Sequence, residues 1–353
     1  MKLIILILPL LEKLSAKTLI CTWPFTVATQ AGWSENSALD MVETATKKCQ
    51  TNRCANNVGY DGMPDENGET TLDALIMDGR DLKVGAVGGL RRIKDAVGVA
   101  RAVLEHTTHS FLAGDLATEF AIKVGFVEES ISGDWNKHAV GKWHENKCQP
   151  NFWKNVTPDP RNYCGPYELD DNLNQSPTHN GKILNKMLDE KKKRKKRSIN
   201  FDNKHIHDTI NCMAVDQSKN IAVAVSTNGL LHKIPGRIGD APIPGAGGYA
   251  ENKIGSCSST GDGDIMMRFS PAFYCVQKLE AGYSPEEAAL ATVRKINKYY
   301  PGFYGAVLAI DEKENYGGAC SGYKDWPFSI RSDLQKNSAG FSLNKTISCI
   351  QQG

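Results

Sequence analysis

The chain has 353 residues, of which 41% are hydrophobic and 23% charged, and its formal net charge is +2 at pH 7. This length and apolar fraction allow a substantial core in one large domain or two. The near-zero charge argues against a nucleic-acid partner, which would require a strongly basic surface.

Residues 1–16 have the composition of a secretory signal peptide. Lys2 precedes an apolar run at residues 3–11, and small and polar residues surround Ser15 and Ala16. The run is shorter than the ~20 residues that span a bilayer, and no later run is long and apolar enough, so no membrane partner is predicted. Leu14 stands where a small residue usually precedes a cleavage site. The cleavage position therefore stays open, and an uncleaved core strand is the alternative.

Two stretches of the first half are typical of amphipathic helices. They cover residues 37–48 and 90–106, and in the second the apolar side chains recur every three or four residues. Each helix is expected to pack one face on a sheet.

The character of the chain changes at about residues 168–204. Apolar residues become scarce and a basic run covers residues 191–197, which predicts a flexible linker. Arg194 and Arg197 frame a dibasic pattern that a secretory protease could cut. A nuclear signal and an ordinary solvated loop are the alternatives, and the first of these conflicts with a signal peptide.

A β-hairpin is predicted immediately after Asp208. Residues 209–215 and 221–227 are apolar strands around a polar turn. Pairing that is symmetric about Ser218 would place Thr209 opposite Thr227, with Cβ atoms roughly 4.5–5.5 Å apart. The Asp208-Thr209 pair is also typical of a turn that merely opens a strand.

Thr209 would gain a base of its own if the chain were cut before it. An N-terminal α-amine has an unperturbed pKa of about 7.7–8.0, so it can take the proton of the adjacent hydroxyl at neutral pH. Before the cut, the Thr209 hydroxyl could attack the Asp208 carbonyl and shift the acyl group from nitrogen to oxygen.

Further elements are predicted towards the C-terminus. Asp264 is expected to cap a helix that runs towards Ala281, Ser284 begins a capping box for a helix that ends near Lys298, and residues 305–310 form a strand. The alternation of hairpins and helix pairs fits a layered helix, sheet, sheet, helix sandwich.

Several motifs together resemble the aspartylglucosaminidase (glycosylasparaginase) family of N-terminal nucleophile hydrolases. They span nearly the whole chain: TWPF (22–25), GETTLDALIMDG (68–79), VGAVGGLRRIKDAVGVAR (84–101), HDTI (207–210), STNG (226–229), GRIGDAPIPGAGGYA (236–250) and STGDGDIMMRF (259–269). The resemblance implies an α/β fold with four αββα layers. It also implies autocleavage at Asp208-Thr209 within one domain, whose halves are residues 17–208 and 209–353.

The resemblance assigns roles to site residues. Thr209 is the nucleophile, and Thr227 would steady it with a hydrogen bond. Arg237 would bind the substrate α-carboxylate and Asp240 the α-ammonium, as their charges suggest. The family also has two hydrogen-bond donors for the oxyanion and a tryptophan that lines the pocket. The matching groups in this sequence are the Thr260 hydroxyl, the Gly261 N–H and the Trp23 side chain. Asn57 stands where the family commonly has a serine near the active site. This departure concerns the rate of autocleavage before Thr209 more than whether autocleavage occurs.

The resemblance further implies three disulfides, which would fit an oxidising compartment. The pairs are Cys49–Cys54, Cys148–Cys164 and Cys320–Cys349. Of the remaining Cys21, Cys212, Cys257 and Cys275, Cys212 lies in the nucleophile strand, where a buried small side chain fits better than a reactive thiol. A bridge among these four stays open.

The sequence thus predicts a secreted or lysosomal amidase that hydrolyses glycoasparagines and needs no metal or cofactor. Asn344 is the favoured glycosylation site among three acceptor patterns, because the others precede proline. The family implies an αβ heterodimer that pairs into a dimer of heterodimers. Two alternatives remain: an asparaginase or β-aspartyl peptidase of the same superfamily, and an inactive secreted homologue that acts as a binding protein.

Overall fold

Two β-sheets stack face to face in the computed structural model, which describes residues 16–170, 209–334 and 343–350. The larger sheet has the strand order β14-β13-β1-β7-β8-β2-β3-β4, and the smaller has the order β12-β11-β10-β9. The strands of the larger sheet are β1 (Thr18–Thr22), β2 (Thr71–Asp78), β3 (Val84–Arg91), β4 (Phe111–Ala113), β7 (Ile210–Val215), β8 (Ile221–Thr227), β13 (Asp325–Ser332) and β14 (Leu343–Ser348). Those of the smaller are β9 (Gly248–Glu251), β10 (Gly255–Gly261), β11 (Gly305–Asp311) and β12 (Tyr316–Ser321), while β5 (Val156–Thr157) and β6 (Glu168–Leu169) form a separate pair.

Helices cover the outer faces of both sheets. Their bounds are α1 (Thr26–Gly32), α2 (Ala38–Asn52), α3 (Ala96–His106), α4 (Gly114–Lys123), α5 (Asp134–Glu145), α6 (Gly263–Met266), α7 (Pro271–Glu280) and α8 (Pro285–Tyr299). Helices α2 and α3 pack on the larger sheet, and α7 and α8 pack on the smaller one. No helix among these described residues is long and apolar enough to cross a membrane.

Three hydrophobic cores separate the four layers. Successive side chains of a strand point to opposite faces, and β8 shows the effect: Ala222 and Ala224 join the core beneath α2 and α3, while Val223 and Val225 join the core between the sheets. The third core lies between the smaller sheet and α7 and α8. The predicted αββα architecture is confirmed.

Most predicted elements are present, with two corrections to helix boundaries. Ser37 caps α2, and Ser284 forms the predicted capping box of α8. The helix expected from residue 90 begins at Ala96 instead, because Leu90 belongs to β3 and Asp95 caps the first turn by accepting from the Gly98 N–H. Leu90 packs in the same core as the buried side chains of α3. Its apolar side chain therefore fitted the helical spacing of the residues that follow, although Leu90 lies in a strand.

The helix expected from Asp264 to Ala281 is also divided. Its first turn, α6, is capped by Asp262 rather than Asp264, and a 3₁₀ turn follows at Met267–Phe269. Ser270 has a positive φ of 45° and Pro271 begins α7. Proline lacks the N–H that would continue the earlier helix, so a new helix starts there.

The three predicted disulfides are present, and a fourth joins Cys21 to Cys212. Cys212 is buried as expected, and the bridge that the sequence left open joins it to Cys21, because pairing of β1 with β7 sets the two cysteines side by side. Cys257 and Cys275 are buried thiols in the core beneath α7 and α8. Residues 1–15 of the predicted signal segment, Asp208 and the part of the predicted linker after residue 170 lie outside the described residues.

Candidate active site

Thr209 lies at the start of β7 in the centre of the larger sheet. The ladder of β7 and β8 runs from Ile210 opposite Ser226 to Val215 opposite Ile221, which confirms the predicted register about Ser218. Continuing this register by one residue places Thr209 beside Thr227. Both side chains are almost fully buried.

Two threonines from distant segments hold the backbone of Thr209. Its carbonyl oxygen accepts a hydrogen bond of 2.7 Å from the Thr22 hydroxyl, which in turn accepts from the Asn211 N–H at 2.9 Å. The Thr209 N–H donates to the Thr260 hydroxyl oxygen over 3.3 Å. Hydrogen bonds from both sheets therefore hold Thr209, whose backbone nitrogen would become the α-amine after a cut.

Thr227 makes its hydrogen bonds away from Thr209 in the uncut chain. Its hydroxyl donates to the Asn57 carbonyl at 3.3 Å and accepts from the Gly229 N–H at 3.0 Å. These bonds tie the end of β8 to the loop that follows α2.

Asn57 contributes an unsatisfied side chain to this region. It is 1% exposed, and its Oδ1 has no hydrogen-bond partner within the described part of the chain. A buried carbonyl oxygen without a donor costs about 1–3 kcal/mol. Asn57, where the resemblance predicts a departure from the family, thus lines the same pocket as the candidate nucleophile and has an unsatisfied buried oxygen.

Thr260 and Gly261 end β10 beside Thr209. Gly261 has a φ of +141°, and a Cβ added there would lie 2.4 Å from the Gly305 Cα on β11. The close approach of β11 therefore requires glycine at this position. The sequence predicted only a role for the Gly261 N–H as an oxyanion donor, and the structure adds this separate reason for glycine at the position.

Arg237 and Asp240 bring opposite charges to one side of Thr209. The Arg237 Nη2 donates to Asp264 at 2.9 Å, and Asp264 is half exposed. Asp240 accepts from the Ser259 hydroxyl at 3.2 Å, and burial raises its pKa to about 6 although Arg237 opposes the shift. A Cβ at Gly263 would lie 2.7 Å from Asp240 Oδ1 and 3.1 Å from Arg237 Nη2, so this glycine leaves open the space that both groups face.

A pocket collects most of the predicted residues. It is lined by Asn57, Thr209, Thr227, Gly229, Leu230, Arg237, Gly239, Asp240, Gly261 and Gly263. In the uncut chain this pocket has a volume of only about 10 Å³, room for a single water, and a hydroxyl, one cation and one carboxylate line it together. This is the set of groups needed to hold an amino acid by its two charged ends while its side chain reaches a nucleophile.

Trp23 lies two residues beyond the bridged Cys21 and is absent from that lining. Its ring packs edge-on against Tyr323 and Trp326, with centroids 6.0 and 5.8 Å away, at the core between the sheets. The indole Nε1 is buried without a hydrogen-bond partner among the described residues. A substrate role for Trp23 stays a prediction.

A buried lysine that the sequence did not single out lies behind the pocket. Lys233 is 1% exposed, and its Nζ donates to the Asn228 carbonyl at 2.8 Å. A Cβ at Gly229 would lie 3.1 Å from this Nζ and 3.0 Å from Arg237 Nη1. Burial lowers the pKa of Lys233, and the Asp73 carboxylate is the strongest opposing influence.

Only one grouping of potential metal ligands occurs in the described residues. It comprises His144, Cys148 and Cys164. Both sulfurs already form a disulfide, so the group lacks the thiolates that bind a transition metal.

Comparison with known proteins adds independent evidence. A model of the asparaginase family matches residues 14–331. The N(4)-(β-N-acetylglucosaminyl)-L-asparaginase of Rattus norvegicus is 46% identical over 304 residues, which cover 85% of this chain and 83% of the relative. The Mus musculus protein of the same name is 42% identical over 99% of this chain and 96% of its own length. A Drosophila melanogaster protein, named as a putative enzyme of this kind, is 44% identical over 94% and 82% respectively.

Proposed function

Because the chain belongs to the asparaginase family, we propose that it is an N(4)-(β-N-acetylglucosaminyl)-L-asparaginase. It hydrolyses the amide bond between N-acetylglucosamine and the side chain of asparagine, as the names of its relatives state for those proteins. High coverage of both relatives supports the whole activity rather than a fragment of it. The same names do not favour a free-asparagine enzyme or an inactive binding protein.

The first step is activation of the chain by cleavage before Thr209. The Thr209 hydroxyl attacks the Asp208 carbonyl carbon, the acyl group moves from nitrogen to oxygen, and water hydrolyses the resulting ester. The released amine belongs to the same residue as the hydroxyl, which gives a nucleophile with its own base. The burial of Thr209 and its bonds to Thr22 and Thr260 support this step, because they hold the reacting segment in one geometry.

The second step is attack on the substrate. Arg237 binds the α-carboxylate and Asp240 the α-ammonium of the asparagine half, which brings the side-chain carbonyl to Thr209. Thr209 forms a β-aspartyl ester and releases the glycosylamine, and water then frees aspartate. The Thr260 hydroxyl and the Gly261 N–H stabilise the oxyanion, a contribution that can reach roughly 3–4 kcal/mol per donor.

The assembly and location of the enzyme follow from the same proposal. Residues 17–208 and 209–353 become the α and β chains of a heterodimer, and two heterodimers associate. The four disulfides among the described residues support passage through an oxidising compartment. This agrees with a lysosomal or secreted enzyme.

The observation that carries the proposal is the convergence of Thr209, Arg237 and Asp240 on one pocket. Intact mass and N-terminal sequencing of the purified protein test it, together with release of aspartate from N-acetylglucosaminyl-asparagine. The wild type is expected to yield a chain that starts at Thr209 and to release aspartate. Thr209→Ala should stay uncut and inactive, whereas Thr209→Ser keeps a hydroxyl and should still be cut. A wild-type chain that remains intact would overturn the mechanism.

A further inference from the structure

The fourth disulfide joins two strands that come from opposite ends of the sequence. Cys21 on β1 lies directly opposite Cys212 on β7, with Cα atoms 4.2 Å apart, and both side chains are fully buried. Formation of the bond removes two protons and two electrons from the two thiols. A disulfide-exchanging oxidant of an oxidising compartment accepts them.

The strands of the two halves alternate across the larger sheet. β1 belongs to the first half, yet its neighbours on either side, β13 and β7, both belong to the second. Beyond β8 the order returns to β2, β3 and β4 of the first half. A cut before Thr209 would therefore leave β1 as a separate chain segment inserted between two strands of the other chain.

The Cys21–Cys212 bridge differs from the other three disulfides in what it connects. Cys49–Cys54 and Cys148–Cys164 both lie before residue 209, and Cys320–Cys349 lies after it. Cys21–Cys212 alone among the described bridges spans that position, and its two cysteines are 191 positions apart in the sequence.

We propose that the Cys21–Cys212 disulfide becomes an interchain bond when the chain is cut, so that the mature α and β chains are covalently joined. The inference rests on the proposed cleavage. The bond also fixes the segment that carries Thr22, whose hydroxyl bonds the Thr209 carbonyl from the residue next to Cys21. The enzyme consequently cannot lose its first half by dissociation, and the nucleophile keeps its hydrogen-bonding partner on dilution.

Denaturing electrophoresis of the mature wild type, with thiols blocked and with or without reductant, tests the bond. One band is expected without reductant and two with it. Tryptic mapping without reduction should recover a cross-linked pair of peptides, one containing Cys21 and the other starting at Thr209 and containing Cys212. This measurement needs no variant, so it holds even if the cysteine variants fail to fold.

Matched variants distinguish the loss of the Cys21–Cys212 bridge from a general loss of structure. Cys21→Ser should give two bands without reductant, whereas Cys320→Ser, which removes a bridge within the second half, should still give one. A folded Cys21→Ser/Cys212→Ser double variant should have a melting temperature that rises more steeply with protein concentration than that of the wild type, because its unfolding also separates the two chains of each heterodimer. Two wild-type bands without reductant would overturn the interchain bond alone. One band under both conditions would overturn the cleavage, and the interchain bond with it.

Discussion

The hydroxyl of Thr22 donates a 2.7 Å hydrogen bond to the backbone carbonyl of Thr209, although 187 positions separate the two residues. Thr22 is the last residue of β1, and the same hydroxyl accepts from the Asn211 N–H. One side chain thus satisfies a donor and an acceptor on either side of Ile210. The position of Thr209, the proposed nucleophile, is therefore set by a neighbouring strand as well as by its own hairpin.

Replacing Thr22 with valine should damage both stability and processing. The change keeps the shape of the side chain but leaves a buried carbonyl and a buried N–H without partners, at a cost of about 1–3 kcal/mol each. We expect a lower melting temperature and slower appearance of the chain that begins at Thr209, followed by mass spectrometry. Thr22→Ser retains the hydroxyl and should behave nearly as the wild type. Equal rates in all three proteins would contradict the role of Thr22.

The hairpin at Thr209 was predictable because it is local in sequence. The two-residue periodicity of both strands and the short polar turn define its register, which the structure confirms from Ile210 to Val215. The contact from Thr22 was not predicted, and the bridge left open among four cysteines was not assigned to Cys21 and Cys212, because both depend on the order of strands in the sheet. Nothing in the local pattern around TWPF indicates that β1 lies beside β7.

Among the charged residues near the pocket, two were predicted from the sequence and one was not. Arg237 and Asp240 were found through the glycine-flanked motif that contains them, and the structure places both at the pocket. Lys233 precedes Arg237 by four positions and was not found, because a lysine in a loop is ordinarily exposed. Its burial arises from packing of the segment after β8, which sequence periodicity does not describe.

Asn57→Ser should accelerate self-cleavage. The serine hydroxyl can rotate to donate or accept, whereas the Asn57 Oδ1 has no donor within the described part of the chain. We expect the new chain that starts at Thr209 to appear several-fold faster than in the wild type, when freshly made precursor is followed by mass spectrometry. Asn57→Ala is the matched control and should not accelerate cleavage, because it removes the amide without supplying a hydroxyl. A faster alanine variant would show that the size of the side chain, not its hydrogen bonding, sets the rate.

Binding of L-aspartate to the mature enzyme should weaken below a pH of about 6. Burial raises the pKa of Asp240 from the ordinary 3.8 to about 6, so acidification through this range protonates the carboxylate that we propose accepts from the α-ammonium. The inhibition constant should rise by up to about tenfold per pH unit as the pH falls below about 6. Asp240→Asn should bind weakly with a flat profile over the same range. An unchanged pH dependence in that variant would assign the titration to another group.

Neutralising the buried charges of Lys233 and Asp73, one at a time, should change substrate affinity in opposite directions. Lys233 and Arg237 approach the same glycine, Gly229, so the charge of Lys233 should strengthen binding of the α-carboxylate. We expect Lys233→Met to raise KM by about tenfold, equivalent to ~1.4 kcal/mol, with a smaller change in kcat. Asp73→Asn removes the opposing carboxylate and should lower KM.

The sign of these two effects separates electrostatics from damage to the fold. A distorted pocket would raise KM in both variants. A purely electrostatic effect would instead raise KM in Lys233→Met and lower it in Asp73→Asn. A substrate whose α-carboxylate is replaced by a carboxamide extends the test, because it lacks the charge that Lys233 would attract. Wild type and Lys233→Met should then have similar KM values, and the exposed Lys83→Met serves as a control for loss of a lysine. A rise in KM that is equally large for both substrates would show that Lys233 only supports the Asn228 turn.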